Sequence, residues 1–294
     1  VGAGSAITPP IIAGIMVRYG WRASFHVCAT LGLLGGLVWL ILARNQPARH
    51  PWVNGAEREL IEKGIEGRTT AKAPPLPWRV LFGSKDVWSL TFSYFCYGYT
   101  SFIFFAWFFI YLTTVRGLNL KSGSYYSMLP FIAMAAGSAG GGLVSDAVSR
   151  RFGRRWGRCG VACCGMGLAA IFVAVGSLAQ SAEAASVILA GGAGALYIAQ
   201  SSFWSVSADI GAGSSGSLSG MMNMGAQTGS SVTAALTPVI AAHLGWTASF
   251  MIAACLCVLG ALAWLAVNPN LSLGPHGRAF EMDGGSITGR PTSQ

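Results

Sequence analysis

The chain has 294 residues, 53% of them hydrophobic and only 10% charged, with a formal net charge of +9. A soluble domain carries about 25% charged residues, so the composition excludes a large water-soluble core. It also excludes nucleic acid as a partner, because a basic balance without a soluble basic face has nothing to bind it with.

Taken in order, the chain reads as about eight apolar segments, at roughly 3–17, 21–43, 87–115, 124–147, 158–180, 184–208, 216–243 and 246–267. About 20 apolar residues in a helix cross the roughly 30 Å of a bilayer core. The expected fold is therefore all-α and membrane-embedded, with the lipid bilayer as surroundings. The first segment is interrupted by Pro9-Pro10. The polar stretch 44–86 reads as a cytoplasmic linker. Within it, Asn54 and Glu57 have the spacing of a capping box, 73–77 reads as an extended proline-rich spacer, and Trp78 to Phe82 as an interfacial turn. The tail 269–294 is Gly-, Pro- and Ser-rich and is expected to be disordered.

Two stretches match each other at fixed offsets. Trp21, Ala23-Ser24-Phe25 and Trp39 in Gly20 to Pro47 answer Trp246, Ala248-Ser249-Phe250 and Trp264 in Gly245 to Pro269. Such self-similarity marks duplication, and duplicated membrane helices are common in secondary transporters. Four segments precede the second pair within its repeat. The first pair lacks them, and the chain opens on Val1. The expected organisation is the last two helices of an N-terminal bundle (1–43), the linker (44–86) and a whole six-helix C-terminal bundle (87–268).

Of the 19 Lys and Arg, all but Arg18, Arg22, Arg116 and Lys121 fall in the linker, the 148–158 loop and the tail. Basic loops stay in the cytoplasm, which fixes the orientation. Of the seven cysteines, all but Cys159 fall well inside apolar runs and read as small hydrophobes; Cys159, Cys163 and Cys164 have no nearby His or carboxylate, so neither a metal site nor any cofactor is expected.

One loop is distinctive. Gly142, Asp146, Arg150, Arg151, Gly153, Arg154 and Arg155 resemble the Gly-x-x-x-Asp-(Arg/Lys)-x-Gly-Arg-Arg loop of the major facilitator superfamily. Further stretches are similar to its anion:cation symporter branch: Tyr19 to Phe25, Trp52 to Leu60, Trp107 to Leu112, Phe203 to Asp209 and Gly220 to Gln227. The resemblance implies a partial major facilitator fold in the cell (inner) membrane, monomeric when full length. It implies uptake of a small organic anion (a sugar acid, tartrate or an aromatic carboxylate) with a proton by alternating access. In the loop it implies that Gly142 admits a close neighbour, that Asp146 meets a helix N-terminus or an Arg, and that the arginines meet carbonyl ends and anionic lipid.

Polar groups within spans are costly and often face a cavity. Tyr94 and Tyr97 share a helix face with Thr100 and either line a substrate path or pack. Ser201, Ser202 and Trp204, beside Gln200 and Ser205, either line a cavity or form a packed interface. Asn223 and Gln227 lie one turn apart, for substrate contact or interhelical bonding. No Lys, Arg, Asp or Glu lies at mid-depth in any span. On the family reading, the anion-binding cation and the proton-carrying acid are expected before residue 1. Rival readings are an inactive fragment, or a helical-bundle channel or enzyme; the chain lacks HExxH, GxSxG and a charged ring.

Overall fold

The membrane segments emerge as long helices, most with short connections. In the computed structural model, the described residues are 2–44, 48, 50–66, 77–211, 214–273 and 279–281. The helices are α1 (Gly2–Tyr19), α2 (Trp21–Leu42), α3 (Gly55–Glu66), α4 (Trp78–Gly83), α5 (Lys85–Val115), α6 (Leu120–Phe152), α7 (Arg155–Leu178), α8 (Ala182–Gly211), α9 (Ser215–Leu244) and α10 (Trp246–Ala266). Six of these, α2, α5, α6, α7, α8 and α10, are long and apolar enough to cross a membrane, with mean hydropathy from 1.4 to 2.2. Helices α1 and α9 have 18 and 30 residues. Both are long enough to span but more polar, and in α9 the first two thirds are rich in Ser, Gly, Asn and Gln. A helix that packs against protein need not be apolar all round.

The chain divides into two compact units, one of residues 1–11 and 75–294, the other of residues 12–74. In the smaller unit, Asn54 Oδ1 accepts from the Glu57 amide at 2.8 Å and caps α3. Of α2 only Ser24 is buried, and its large apolar side chains stand exposed. The proline-rich spacer up to residue 76 lies outside the described residues; Pro77 opens α4.

In the larger unit α5 is the central helix. Ser93 donates to the Gly260 carbonyl of α10 at 2.9 Å, Thr100 to the Ala253 carbonyl at 3.3 Å, and Ser230 of α9 to the Gly98 carbonyl at 3.2 Å. Interhelical bonds of this kind contribute about 0.6 kcal/mol each in a bilayer, so they fix register more than they hold the bundle. Packing does the rest. Phe203 lies 4.8 Å from Trp264, and Tyr111 lies 5.0 Å from Phe250. At one end Asp86 Oδ1 accepts from the Asn268 amide at 2.6 Å, joining the start of α5 to the chain just beyond α10. At the other end Arg116 donates to the carbonyls of Ala179 at 2.6 Å and Gln180 at 3.0 Å, beyond the end of α7.

Three helix corners share one backbone solution. Gly20, Gly153 and Gly245 have φ of 81°, 87° and 85° with ψ of 167°, 163° and 163°. This region is essentially closed to residues with a Cβ. One glycine therefore turns each helix into the next, and both Gly-Trp repeats begin on it.

Three expectations need correction. Pro9 and Pro10 do not interrupt α1, which runs unbroken through them; each removes only one amide donor. The tail is not wholly structureless, for Leu271–Leu273 and Ala279–Glu281 pair as antiparallel strands, with Ser272 opposite Phe280. Alternating apolar residues give these short segments a strand period that the tail's overall composition hides. Gly142 is not a close-packing point, since a Cβ there would stand 3.9 Å from Ser201 Cβ. The tight approach lies one residue back on the facing side, where a Cβ on Gly141 would stand 2.5 Å from the Ile198 carbonyl oxygen.

Candidate functional site

A cavity of about 530 Å³ opens within the larger unit, about midway along its helices. Its polar lining comes from Ser5, Ser138, Tyr197, Gln200 and Ser201, and its aromatic lining from Phe105, Phe131 and Trp204. The helical period explains the α8 wall. Tyr197, Ser201 and Trp204 stand at i, i+4 and i+7, with Gln200 beside them, so one face of α8 meets the cavity. Phe105 arrives on a π-helical stretch, Ile103–Trp107, where α5 widens. Such turns occur often at functional sites. Ser5 adds a backbone feature, because Pro9 removes the amide that would bond its carbonyl in a helix.

The cavity's chemistry is neutral. Amide, hydroxyl and aromatic groups line it, with no charged side chain among the lining residues. Ser201 Oγ is buried with no hydrogen-bond partner among the described residues. A buried hydroxyl without a partner costs stability, so it is a donor and acceptor available to a ligand. Tyr197 Oη and Ser101 Oγ stand 3.4 Å apart.

Of the residues singled out from sequence, Ser201 and Trp204 line this cavity. Tyr94 and Tyr97 stand behind it, both buried, with rings stacked at 5.1 Å. Tyr94 packs edge-on to Trp204 at 6.3 Å, and Tyr97 lies 5.5 Å from Tyr197. Ser202 is fully buried outside the lining. Asn223 and Gln227 share one exposed face of α9 and are not among the lining residues.

The basic loop forms a second centre. Asp146 Oδ1 accepts from Arg158 at 3.1 Å, and the same guanidinium nitrogen lies 3.3 Å from Ser145 Oγ. Ser145 in turn donates to the Gly157 carbonyl at 2.8 Å. Gly153 supplies the corner, and a side chain on Gly157 would collide with Ser149. The partner expected for Asp146 is thus Arg158, from the start of α7. Arg150, Arg151, Arg154 and Arg155 remain exposed.

The sequence profile of the Major Facilitator Superfamily matches residues 1–225. The chain belongs to the Major Facilitator Superfamily. A probable sulfoacetate transporter, SauU, of Cupriavidus necator is 32% identical over 287 residues, covering 95% of this chain and 65% of its own length. The hexuronate transporter of Bacillus subtilis is 28% identical, covering 88% of this chain and 61% of its own length. The chloroplastic ascorbate transporter of Arabidopsis thaliana is 28% identical, covering 89% and 47%. The chain therefore spans less than two thirds of the length of these relatives. As a superfamily member it is a multi-pass membrane protein with a partial form of the fold.

Within this superfamily member, several lining residues escaped the sequence reading. Tyr197 carried a legible signal, since it lies one turn before Ser201 on the same face. Ser138, Phe105 and Phe131 carried none, because apolar spans hold many such residues and only tertiary packing says which meet. Arg158 was legible as a basic loop residue but not as the partner of Asp146, twelve residues away across a corner.

Proposed function

We propose that this chain is part of a secondary transporter that takes up a small organic anion across the cell membrane, coupled to protons, by alternating access. The observation that carries the reading is the mid-depth cavity walled by Tyr197, Gln200, Ser201 and Trp204. A neutral wall of this kind suits the hydroxylated or aliphatic body of an organic acid, with amide and hydroxyl groups for its oxygens and Trp204 against its carbon face. Relatives named for sulfoacetate, hexuronate and ascorbate transport support an acidic substrate. The cation that meets the carboxylate or sulfonate, and the acid that carries the proton, belong to the remainder of the complete protein. Asn223 and Gln227 serve this path from α9 when the rest of the protein faces them. Tyr94 and Tyr97 hold its wall. The Asp146–Arg158 pair and the arginines around Gly153 form a cytoplasmic gate that breaks and re-forms as the halves rock.

The test is uptake by the complete protein in proteoliposomes. Sulfoacetate, a hexuronate and ascorbate are offered under an inward proton gradient, with and without protonophore. Accumulation of at least one acid, abolished by protonophore, is expected. Gln200→Leu and Ser201→Ala are expected to raise the apparent KM about tenfold or more, the loss of one or two buried hydrogen bonds. Uptake that ignores the gradient removes the coupling. Variants with unchanged KM remove the cavity as the binding site.

A further inference from the structure

One backbone group at the cavity differs in kind from the side chains around it. Ser138, Tyr197, Gln200 and Ser201 each carry a group that can donate or accept a hydrogen bond. They can therefore meet a hydroxyl and an anionic oxygen alike. Ser5 is the one residue of α1 among the lining residues, and its main-chain carbonyl can only accept. In an uninterrupted ladder that carbonyl would be taken by the amide of residue 9. Residue 9 is Pro, which has no amide hydrogen. The neighbouring side-chain donor is already used, since Thr8 Oγ1 donates to the Gly4 carbonyl at 2.8 Å.

A helical carbonyl leans toward the residue four positions on, only about 40° round the axis, so it stays near the face that its own residue shows to the cavity. The ring of Pro9 crowds it from below. Pro10 opens the carbonyl of Ala6 in the same way, but Ala6 is 6% exposed, packs into the core and is not among the lining residues. Two adjacent prolines thus free two carbonyls, and one of them stands at the cavity. A fixed acceptor sorts ligands by polarity. A hydroxyl hydrogen satisfies it. A carboxylate or sulfonate presents only lone pairs, and two acceptors facing each other repel. The charged group of a bound anion is thereby turned away from α1 and a hydroxyl is turned toward it. A ligand with no hydroxyl leaves the carbonyl unpaired in a buried place, which weakens its binding.

We infer that the Ser5 carbonyl, opened by Pro9, is a specificity-determining group that accepts a hydrogen bond from a substrate hydroxyl and discriminates against anions that offer none. The inference rests on the reading of the cavity as the transport site.

Uptake by the complete protein in proteoliposomes tests this with two probes, glucuronate, which carries several hydroxyls, and sulfoacetate, which carries none. Pro9→Ala returns an amide hydrogen to the Ser5 carbonyl. It is expected to raise the KM for glucuronate at least fivefold and to move that for sulfoacetate less than twofold. Pro10→Ala makes the same exchange at the core-facing Ala6 carbonyl and is expected to leave the glucuronate KM within twofold. Thermal unfolding confirms that both variants are folded. A second measurement needs no variant: among singly deoxygenated glucuronates, at least one is expected to compete with glucuronate for the wild type at least fivefold more weakly than glucuronate itself. Equal competition by all of them overturns the inference. So does an unchanged glucuronate KM in Pro9→Ala, or an equal rise for both probes, which would report a change of helix shape. Uptake of sulfoacetate without glucuronate overturns the inference and leaves the transport reading standing, whereas uptake of neither removes both.

Discussion

Adjacent glycines on α6 separate close packing from helix propensity. A Cβ on Gly141 would stand 2.5 Å from the Ile198 carbonyl oxygen, 2.7 Å from its Cα and 2.9 Å from its carbonyl carbon. A Cβ on Gly140 would meet nothing within 4 Å. Both gain the same helix propensity from alanine, about 0.8–1.0 kcal/mol. Carbon atoms settle at about 3.5–4.0 Å, so Gly141→Ala must part α6 from α8 by about 1 Å. The contact is backbone and cannot swing aside. Forcing an extra methyl into such a site costs about 1–3 kcal/mol. Gly141→Ala is thus expected to be less stable than Gly140→Ala by about that amount. In a bundle of this size each kcal/mol moves the unfolding midpoint by about 2–4 °C. Thermal unfolding in detergent, followed by the accessibility of buried cysteines, reads the difference. The cavity lies beside this crossing, since the lining residues Tyr197 and Gln200 stand one before and two after Ile198. Equal midpoints for the two variants would refute the tight crossing and with it the placement of the α8 wall.

Three further outcomes follow from the same geometry. Gly153→Ala places a Cβ at φ 87°, ψ 163°, and is expected to cost about 1–3 kcal/mol; a midpoint matching the wild type would show that the corner is not rigid. Asp146 and Arg158 form a partly exposed pair, with side chains 55% and 21% exposed, so a double-mutant cycle with Asp146→Asn and Arg158→Gln should give a coupling of only about 0.2–1 kcal/mol to stability. A larger value would mean that the pair is shielded from solvent. Cys28, Cys164 and Cys255 are exposed while Cys96 and Cys257 are buried, so a small maleimide on the detergent-solubilised protein should modify the first three at least tenfold faster. Mass mapping of the peptides decides it, and fast labelling of Cys257 would contradict the packing of α5 on α10.

The helices were legible because the membrane demands them: every backbone polar group must be satisfied within its own segment, so an apolar run of sufficient length has few alternatives. The duplication was legible down to its glycine, and Gly20 and Gly245 adopt the same φ and ψ. The environments of the two copies were not. Trp39 is 73% exposed while its counterpart Trp264 is fully buried, and Phe25 is 68% exposed against 1% for Phe250. Sequence similarity reports what a residue is, whereas burial depends on which helices stand opposite. The same limit applied to the site. The cluster of polar residues in α8 pointed to Ser201 and Trp204, but the same clustering drew in Ser202, which is buried against the packed side of the helix. Polar residues of α9 drew attention as polar, and nothing in their spacing said that Asn223 and Gln227 stand apart from the cavity.

Tyr94 and Tyr97 bring these levels together, because sequence alone leaves them either as ligands or as packing. Their rings stack at 5.1 Å, Tyr94 meets Phe203 at 4.5 Å, and both touch residues that line the cavity without lining it themselves. If they act by bracing, the ring matters and the hydroxyl does not. Tyr94→Phe should then keep uptake within about twofold, since it removes at most a hydrogen bond of about 1 kcal/mol. Tyr94→Ala should leave a void beside Trp204 and Phe203, and large aromatic truncations in a core cost about 3–5 kcal/mol. The loss would appear as a lower unfolding midpoint together with a raised KM, because Trp204 loses its support. Ligand contact through the hydroxyl predicts the opposite order: Tyr94→Phe would raise KM tenfold or more at an unchanged midpoint. Measuring midpoint and KM on both variants separates the two, and a Phe variant that is stable but defective in uptake would overturn the bracing role.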